Sequence, residues 1–235
     1  MKKRKRQIMA AFMSMAMTVS SLPMSAMGAP VVRAVLDEGE STQMVSEKSM
    51  VYVSSYDGSV RQQNFNDNWK FNLGDVSQGQ AMNFDDSKWS EVTLPHDYSI
   101  EQEYSKNMEA ESGYLPGGVG WYRKNFTVPL SAADKQVRID FDGVYMNATV
   151  YINGIELGTH PYGYSPFSFD LTPYLNYGGD NVIAVKVNHQ TPSSRWYSGS
   201  GIYRDVTLTM TPMVHEALYG TKVTAPDLQG GGTVK

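Results

Sequence analysis

Val137-Arg138-Ile139-Asp140-Phe141-Asp142 alternates apolar and charged side chains residue by residue, and this stretch decides the fold. A period of two places Val137, Ile139 and Phe141 on one face and the three charged residues on the other, as in a strand with one dry and one wet side. A few residues on, Ala148 to Ile152 runs into Asn153-Gly154, a strong hairpin signal because both central residues of a type I′ turn need positive φ. Val182 to Val187 is almost wholly apolar, as a central sandwich strand would be, and Val206-Thr207-Leu208-Thr209 alternates again. Helical hints are confined to single turns at Ser131 to Asp134 and Asp170 to Leu175, each with a capping residue in front. The pattern predicts an all-β chain, folded as an antiparallel β-sandwich.

Between the last two of those strands lies Ser194-Arg195-Trp196-Tyr197-Ser198-Gly199-Ser200-Gly201-Ile202-Tyr203-Arg204-Asp205-Val206. Aromatic faces suit the C–H side of a pyranose, glycines admit close backbone approach, and guanidinium forks donate paired hydrogen bonds to hydroxyls or carboxylates. The same residues also suit a tight aromatic corner between strands, and the loop by itself does not choose. Tyr203 reads as packing, and Arg204-Asp205 reads as a local ion pair, which contributes little to stability.

The chain opens on Met1-Lys2-Lys3-Arg4-Lys5-Arg6, continues as an apolar run from Ile8 to about Val19, and reaches the small residues Ala26 and Gly28. That is the layout of a secretory signal peptide over residues 1–28, with an apolar run too short to span a bilayer. The expected location is therefore secreted, cell-surface or periplasmic, by bacterial export. Losing the five leader cations from a total of 20 leaves 15 basic against 24 acidic side chains, a net charge of −9. An acidic chain argues against a nucleic-acid partner, whose phosphates need a basic face. With no cysteine there is no disulfide framework and no thiolate nucleophile or zinc-thiolate site, so stability must come from the core.

Residues 29–62 are rich in Ser, Glu, Gln and Asp, carry one promising strand from Ser49 to Val53, and read as an N-terminal tail. Residues 63–212 carry the sandwich. After Thr211-Pro212, Val214 to Thr224 reads as one more strand, and Asp227-Leu228-Gln229-Gly230-Gly231-Gly232 as a turn. One strand and a turn cannot bury a core, so residues 213–235 are expected to open a further domain.

Seven strings follow one another in a recognisable order. They are Trp69 to Asp75, Phe84 to Trp89, Val92 to Asp97, Gly120 to Lys124, Phe141 to Tyr145, Val150 to Gly154, and the Arg195 to Val206 loop. Over about residues 63 to 212 the chain resembles the N-terminal sugar-binding domain of glycoside hydrolase family 2, most of all its secreted bacterial β-galactosidases. The resemblance implies a jelly-roll, galactose-binding-like β-sandwich, with an immunoglobulin-like domain beginning at residue 213. It also implies a carbohydrate ligand, and a partner (β/α)8 barrel of the same enzyme that holds both catalytic glutamates for retaining hydrolysis of terminal β-galactosides. A barrel needs roughly 250 residues, so the resemblance assigns no catalytic residue to this chain and no hydrolysis to it alone.

Three residues are candidates for sugar contact: Asp97, Arg195 and Trp196. Asp97, in Leu94-Pro95-His96-Asp97-Tyr98, follows a strand and a proline, and its carboxylate is able to accept from two neighbouring hydroxyls. Read from the residues alone, it is more readily an Asx-turn aspartate binding its own backbone, and contact with galactose is what the resemblance implies. Arg195 stands where related β-galactosidases and β-glucuronidases of other branches carry an aspartate. It is therefore placed near the pocket, orienting Asp97, hydrogen-bonding a sugar hydroxyl, or pairing with an acid at a domain interface. Trp196 and Tyr197 are either a pocket wall or corner packing.

Elsewhere the chemistry is sparse. Glu109 and Glu111 sit in a long loop ending at Pro116-Gly117-Gly118 and read as solvated charge. His96, His160, His189 and His215 are scattered without metal-ligand spacing, so neither a metal nor another cofactor is expected. Asn125-Phe126-Thr127 and Asn147-Ala148-Thr149 match the glycosylation triplet within expected strands and read as chance. Competing functions are a free-standing carbohydrate-binding module, part of a β-glucuronidase or β-mannosidase of the same family, and a purely structural docking domain.

Overall fold

The computed structural model describes residues 53–193 and 196–224. The expected leader, most of the expected tail, the expected strand from Ser49 up to residue 52, Arg195 and the turn from Asp227 lie outside the described residues.

In chain order the strands are β1 Ser54–Ser55, β2 Gln62–Asn64, β3 Trp69–Leu73, β4 Ser90–Val92, β5 Gly118–Thr127 and β6 Lys135–Phe141. They continue as β7 Ala148–Ile152, β8 Ile155–His160, β9 Phe167–Asp170, β10 Asp180–His189 and β11 Val206–Pro212. One sheet runs β4-β3-β5-β10-β7-β8, with β1 set against the end of β5, and the other runs β2-β11-β6-β9. Every pairing of named strands is antiparallel except β1 with β5. The chain is thus an all-β sandwich of two sheets.

Alternation accounts for the core. Val137, Ile139 and Phe141 of β6 are fully buried while Arg138 and Asp140 are not, and Leu208 and Met210 of β11 pair with Ile139 and Val137 in register. Facing them across the sandwich are Tyr122 and Phe126 of β5, Ile183, Val185 and Val187 of β10, and Val150 and Ile152 of β7. Each large aliphatic or Phe side chain buried this way contributes about 1.5–3 kcal/mol. Asn153 (φ 51°) and Gly154 (φ 84°) make the expected hairpin turn between β7 and β8. The Asn153 amide also braces β10, accepting from Val182 N at 2.8 Å and donating to Tyr174 O at 2.8 Å.

β5 and the first half of β10 are buried on both faces, because the segment between β3 and β4 folds over the outside of that part of their sheet. Arg123 of β5 clamps that segment: its Nε donates to Asp86 Oδ2 at 2.8 Å, and its Nη1 donates to the carbonyls of Gly79 (2.6 Å) and Ala81 (3.0 Å). Beneath the clamp Trp121, Trp89 and Ala184 form a second, smaller apolar cluster with Val76 and Phe84. On the inner face of β5, Lys124 is as buried as its apolar neighbours. Its Nζ donates to the carbonyls of Phe65 (3.0 Å) and Asp67 (2.6 Å), and burial pushes its pKa down to about 7.

Several local expectations are corrected. The sandwich begins before residue 63, since β1 joins β5 and Tyr56 stacks on Phe65 with ring centroids 4.9 Å apart. No strand forms over Val214 to Thr224, where most side chains are exposed and no described neighbour takes up the backbone hydrogen bonds. The turn expected from Ser131 starts one residue earlier, as a 3-10 turn over Leu130–Ala132, and no side chain caps it. In the turn Thr172–Tyr174 the expected Asp170 does accept from Thr172 N, at 2.9 Å. Arg204 and Asp205 do not pair. Asp205 accepts from Asn66 Nδ2 at 2.8 Å, while the Arg204 guanidinium lies 5.1 Å from the Tyr203 ring centroid.

Candidate functional site

Two loops meet at one end of the sandwich. The segment after β4 runs beside residues 200–202, with His96 N donating to Ile202 O at 2.8 Å and Tyr98 N to Ser200 O at 3.0 Å. The approach is close enough that only glycine fits at 201: its φ is +113°, and a Cβ there would stand 2.2 Å from the Tyr122 hydroxyl. Gly201 is held in turn by a pair of backbone hydrogen bonds with Tyr145, 2.9 Å and 2.8 Å long.

Asp97 sits at the junction and joins both loops. Its Oδ1 accepts from Ser99 N at 3.0 Å and from Ser200 N at 2.9 Å, while its Oδ2 accepts from the Tyr197 hydroxyl. The Asx-turn reading thus describes one oxygen of this residue, while the other is engaged by the Tyr197 phenol. Burial raises the Tyr197 phenol pKa, and its hydrogen bond to Asp97 holds the proton further, so it stays a donor at neutral pH.

Around Asp97 the rim is aromatic and open. Trp196 is 76% exposed, Tyr197 42% and Tyr104 75%, with Ile100 also exposed. Trp196 thus presents most of its surface to solvent beside Tyr197. Of the three expected contact residues, Asp97 and Trp196 thus come together in one loop cluster, and Arg195 lies outside the described residues. Glu111 is exposed within a 3-10 turn over Ala110–Ser112, and the half-buried Glu109 precedes that turn.

Behind Asp97 stands a polar network that sequence reading missed. Ser200 Oγ is fully buried and shares short hydrogen bonds with Ser99 Oγ and His189 Nδ1, and His189 Nε2 reaches Ser193 Oγ at 2.9 Å. Ser99 Oγ also donates to Pro116 O at 2.7 Å, which ties in the loop before β5. Burial lowers the His189 pKa, partly opposed by Asp97, so the imidazole is neutral near pH 7. A signal did exist: His189 continues the inward register of Val185 and Val187, where a polar side chain must find a partner. His96 is likewise buried, with Nδ1 2.7 Å from the Tyr122 hydroxyl and Nε2 3.2 Å from Glu101. Among the described residues no group of three or more His, Asp or Glu side chains is placed to hold a metal ion.

Chemically this arrangement offers one carboxylate oxygen, a phenol and flat aromatic surface at an open rim. Such groups are able to accept from and stack against a polar ring compound.

A family model described as "Glycosyl hydrolases family 2, sugar binding domain" matches residues 62–212, which run from the first residue of β2 to the last of β11. The chain is 52% identical over 163 residues to a Bacteroides ovatus protein named beta-galactosidase BoGH2A, covering 68% of this chain and 19% of that protein. Among solved structures, a family 2 glycosyl hydrolase from Bacteroides cellulosilyticus superposes with a TM-score of 0.69 at 39% identity, over 72% of this chain and 23% of that one. A Bacteroides uniformis beta-glucuronidase does so with a TM-score of 0.62 at 33% identity, over 71% and 20%. The chain therefore spans about a fifth of the length of the relatives it matches.

Proposed function

Because this chain belongs to the sugar-binding domain family of the family 2 glycosyl hydrolases, we propose that it is the sugar-contacting N-terminal domain of a secreted bacterial β-galactosidase. The observation that carries this reading is the held carboxylate. Asp97 Oδ1 is occupied by two main-chain donors from two loops, which fixes the orientation of Oδ2 toward the open rim. A galactose hydroxyl donating to Oδ2, beside the Tyr197 phenol and against the exposed Trp196 face, would be oriented without any step of bond breaking in this domain. Retaining hydrolysis needs two carboxyl groups about 5–5.5 Å apart, and in this reading a partner barrel domain supplies them. Identity to a protein named beta-galactosidase supports the galactoside. The basic and apolar opening of the sequence supports export.

The test is kinetic. In the enzyme carrying this domain with its barrel, Asp97→Asn is expected to lower kcat/KM on a nitrophenyl β-galactoside by about tenfold or more, the size of a lost hydrogen bond to a charged group. Unchanged kinetics would remove Asp97 from the site. A glucuronide reading is favoured by the likeness to the Bacteroides uniformis beta-glucuronidase. A kcat/KM higher on the matched β-glucuronide than on the β-galactoside would establish that reading instead.

A further inference from the structure

Along the outer face of β10, between the clamped segment and β8, the sheet carries an open cleft of about 400 Å³. That volume lies within the range of small-molecule sites. Lys186 and Asn188 point outward into it while Val185, Val187 and His189 point inward, and Gln190 continues the outward series just past the strand. Tyr151 of β7 forms an aromatic wall, and it is supported from behind. Its ring stacks on Trp121 with centroids 5.9 Å apart at 21°, and both residues belong to the small outer cluster built around Ala184, which pairs with Tyr151 in register. A ring braced in this way keeps its orientation when a ligand arrives, so little ordering cost falls on binding.

The polar groups of the cleft divide into two kinds. Lys186 is already engaged, 2.8 Å from Asp75 Oδ2, and Thr149 and Thr159 share a 2.8 Å hydrogen bond. The side-chain amides of Asn188 and Gln190 have no hydrogen-bond partner among the described residues, and each offers both donors and an acceptor. Glu156 brings a negative charge and Lys186 a paired positive one, so the cleft has no surplus cation to attract an anion. A braced aromatic plane beside amides that donate and accept, without net positive charge, matches an uncharged sugar.

We propose that this cleft is a second glycan-binding surface, which takes a neutral stretch of oligosaccharide along β10 with one pyranose on Tyr151 and its hydroxyls on Asn188 and Gln190. It does not rest on Asp97 touching sugar, and the test separates the two. Isotope-labelled full chain is titrated with neutral β-linked tetrasaccharides of galactose, glucose and xylose while the side-chain amide resonances are followed by NMR. At least one tetrasaccharide should shift the Asn188 and Gln190 amides. Tyr151→Ala and, independently, the milder Asn188→Ala should each weaken that binding by about tenfold, while Asp97→Asn leaves it unchanged. A tetragalacturonate should bind more weakly than its neutral counterpart. The proposal is overturned if no neutral tetrasaccharide shifts these amides at millimolar concentration. It is equally overturned if the shifts survive Tyr151→Ala and Asn188→Ala, if they vanish in Asp97→Asn, or if the galacturonate binds more tightly.

Discussion

The Lys124 amino group sits 4.1 Å from the centroid of the Phe65 ring, inside the sandwich and not at its edge. Tyr56 and Trp69 complete an aromatic box at 5.4 and 5.9 Å, and two carbonyls take its hydrogens. A cation gains from both kinds of contact, but loses its hydration, and burial is the larger effect.

That placement makes stability depend on alkaline pH with a definite sign. The folded pKa of Lys124 is about 7 against 10.5 for the free side chain, so between those values the unfolded chain binds a proton that the folded one has shed. Stability therefore rises with pH across that window, by a few kcal/mol in order of magnitude, and the full penalty applies below it. Above pH ~10 the buried phenols of Tyr56, Tyr98 and Tyr122, whose pKa values burial raises, keep protons that the unfolded chain loses, and stability falls again. Urea midpoints should climb from pH 7 to a maximum near pH 9 to 10. Lys124→Met should flatten the climb; a wild-type midpoint that is constant over the range would show that Lys124 stays charged in the fold.

Gly201→Ala is expected to cost several kcal/mol, about 3 or more, because its Cβ would overlap the Tyr122 hydroxyl and its backbone would be strained at positive φ. Gly113 also has positive φ, +69°, but nothing stands within 4 Å of its would-be Cβ. Gly113→Ala should cost only about 1 kcal/mol. Equal losses in urea unfolding would mean that backbone strain alone, not the contact with Tyr122, governs position 201.

The Arg123 clamp is open to a local test. Arg123→Met removes the donors for Gly79 O and Ala81 O and leaves Asp86 half-buried without its cation. A global loss of about 3–5 kcal/mol is expected, as for other broken buried ion pairs. Amide hydrogen exchange should accelerate over residues 79–86 more than in β6 or β11. Uniform acceleration across both sheets would show that the segment has no separate opening.

Export can be read directly. Expressed in a bacterium with its own opening sequence, the protein should appear outside the cytoplasm with Ala29 as its first residue, by N-terminal sequencing. A product that retains Met1 and stays in the cytoplasm would refute the leader.

Much of the fold was legible because its signals are local. Alternation from Val137 to Phe141 and the Asn153-Gly154 turn depend only on neighbours in sequence, and both elements formed as expected. Lys124 shows the limit. Alternation with Tyr122 and Phe126 placed it inward, yet a lysine is ordinarily solvated, and nothing local announces the aromatic box or the carbonyls of Phe65 and Asp67 waiting across the sheet. The Asx turn of Asp97 was legible from its position after Pro95, but its second anchor, Ser200 N, lies 103 residues away. Arg204-Asp205 failed for the same reason in reverse: adjacency suggested a pair, while Asn66 on another segment offered Asp205 a better-aligned partner. The strand expected over Val214 to Thr224 had suitable side chains but no neighbour to ladder with among the described residues.

Where the rim loop is fastened has a bearing on how such domains diversify. Its attachment points, Ser200 and Gly201, grip the body of the protein through main-chain atoms, whereas Trp196 stands outward among the side chains it displays. Exchanging residue 196 leaves those moorings untouched. A lineage can therefore vary the side chain displayed there while inheriting an unaltered chassis.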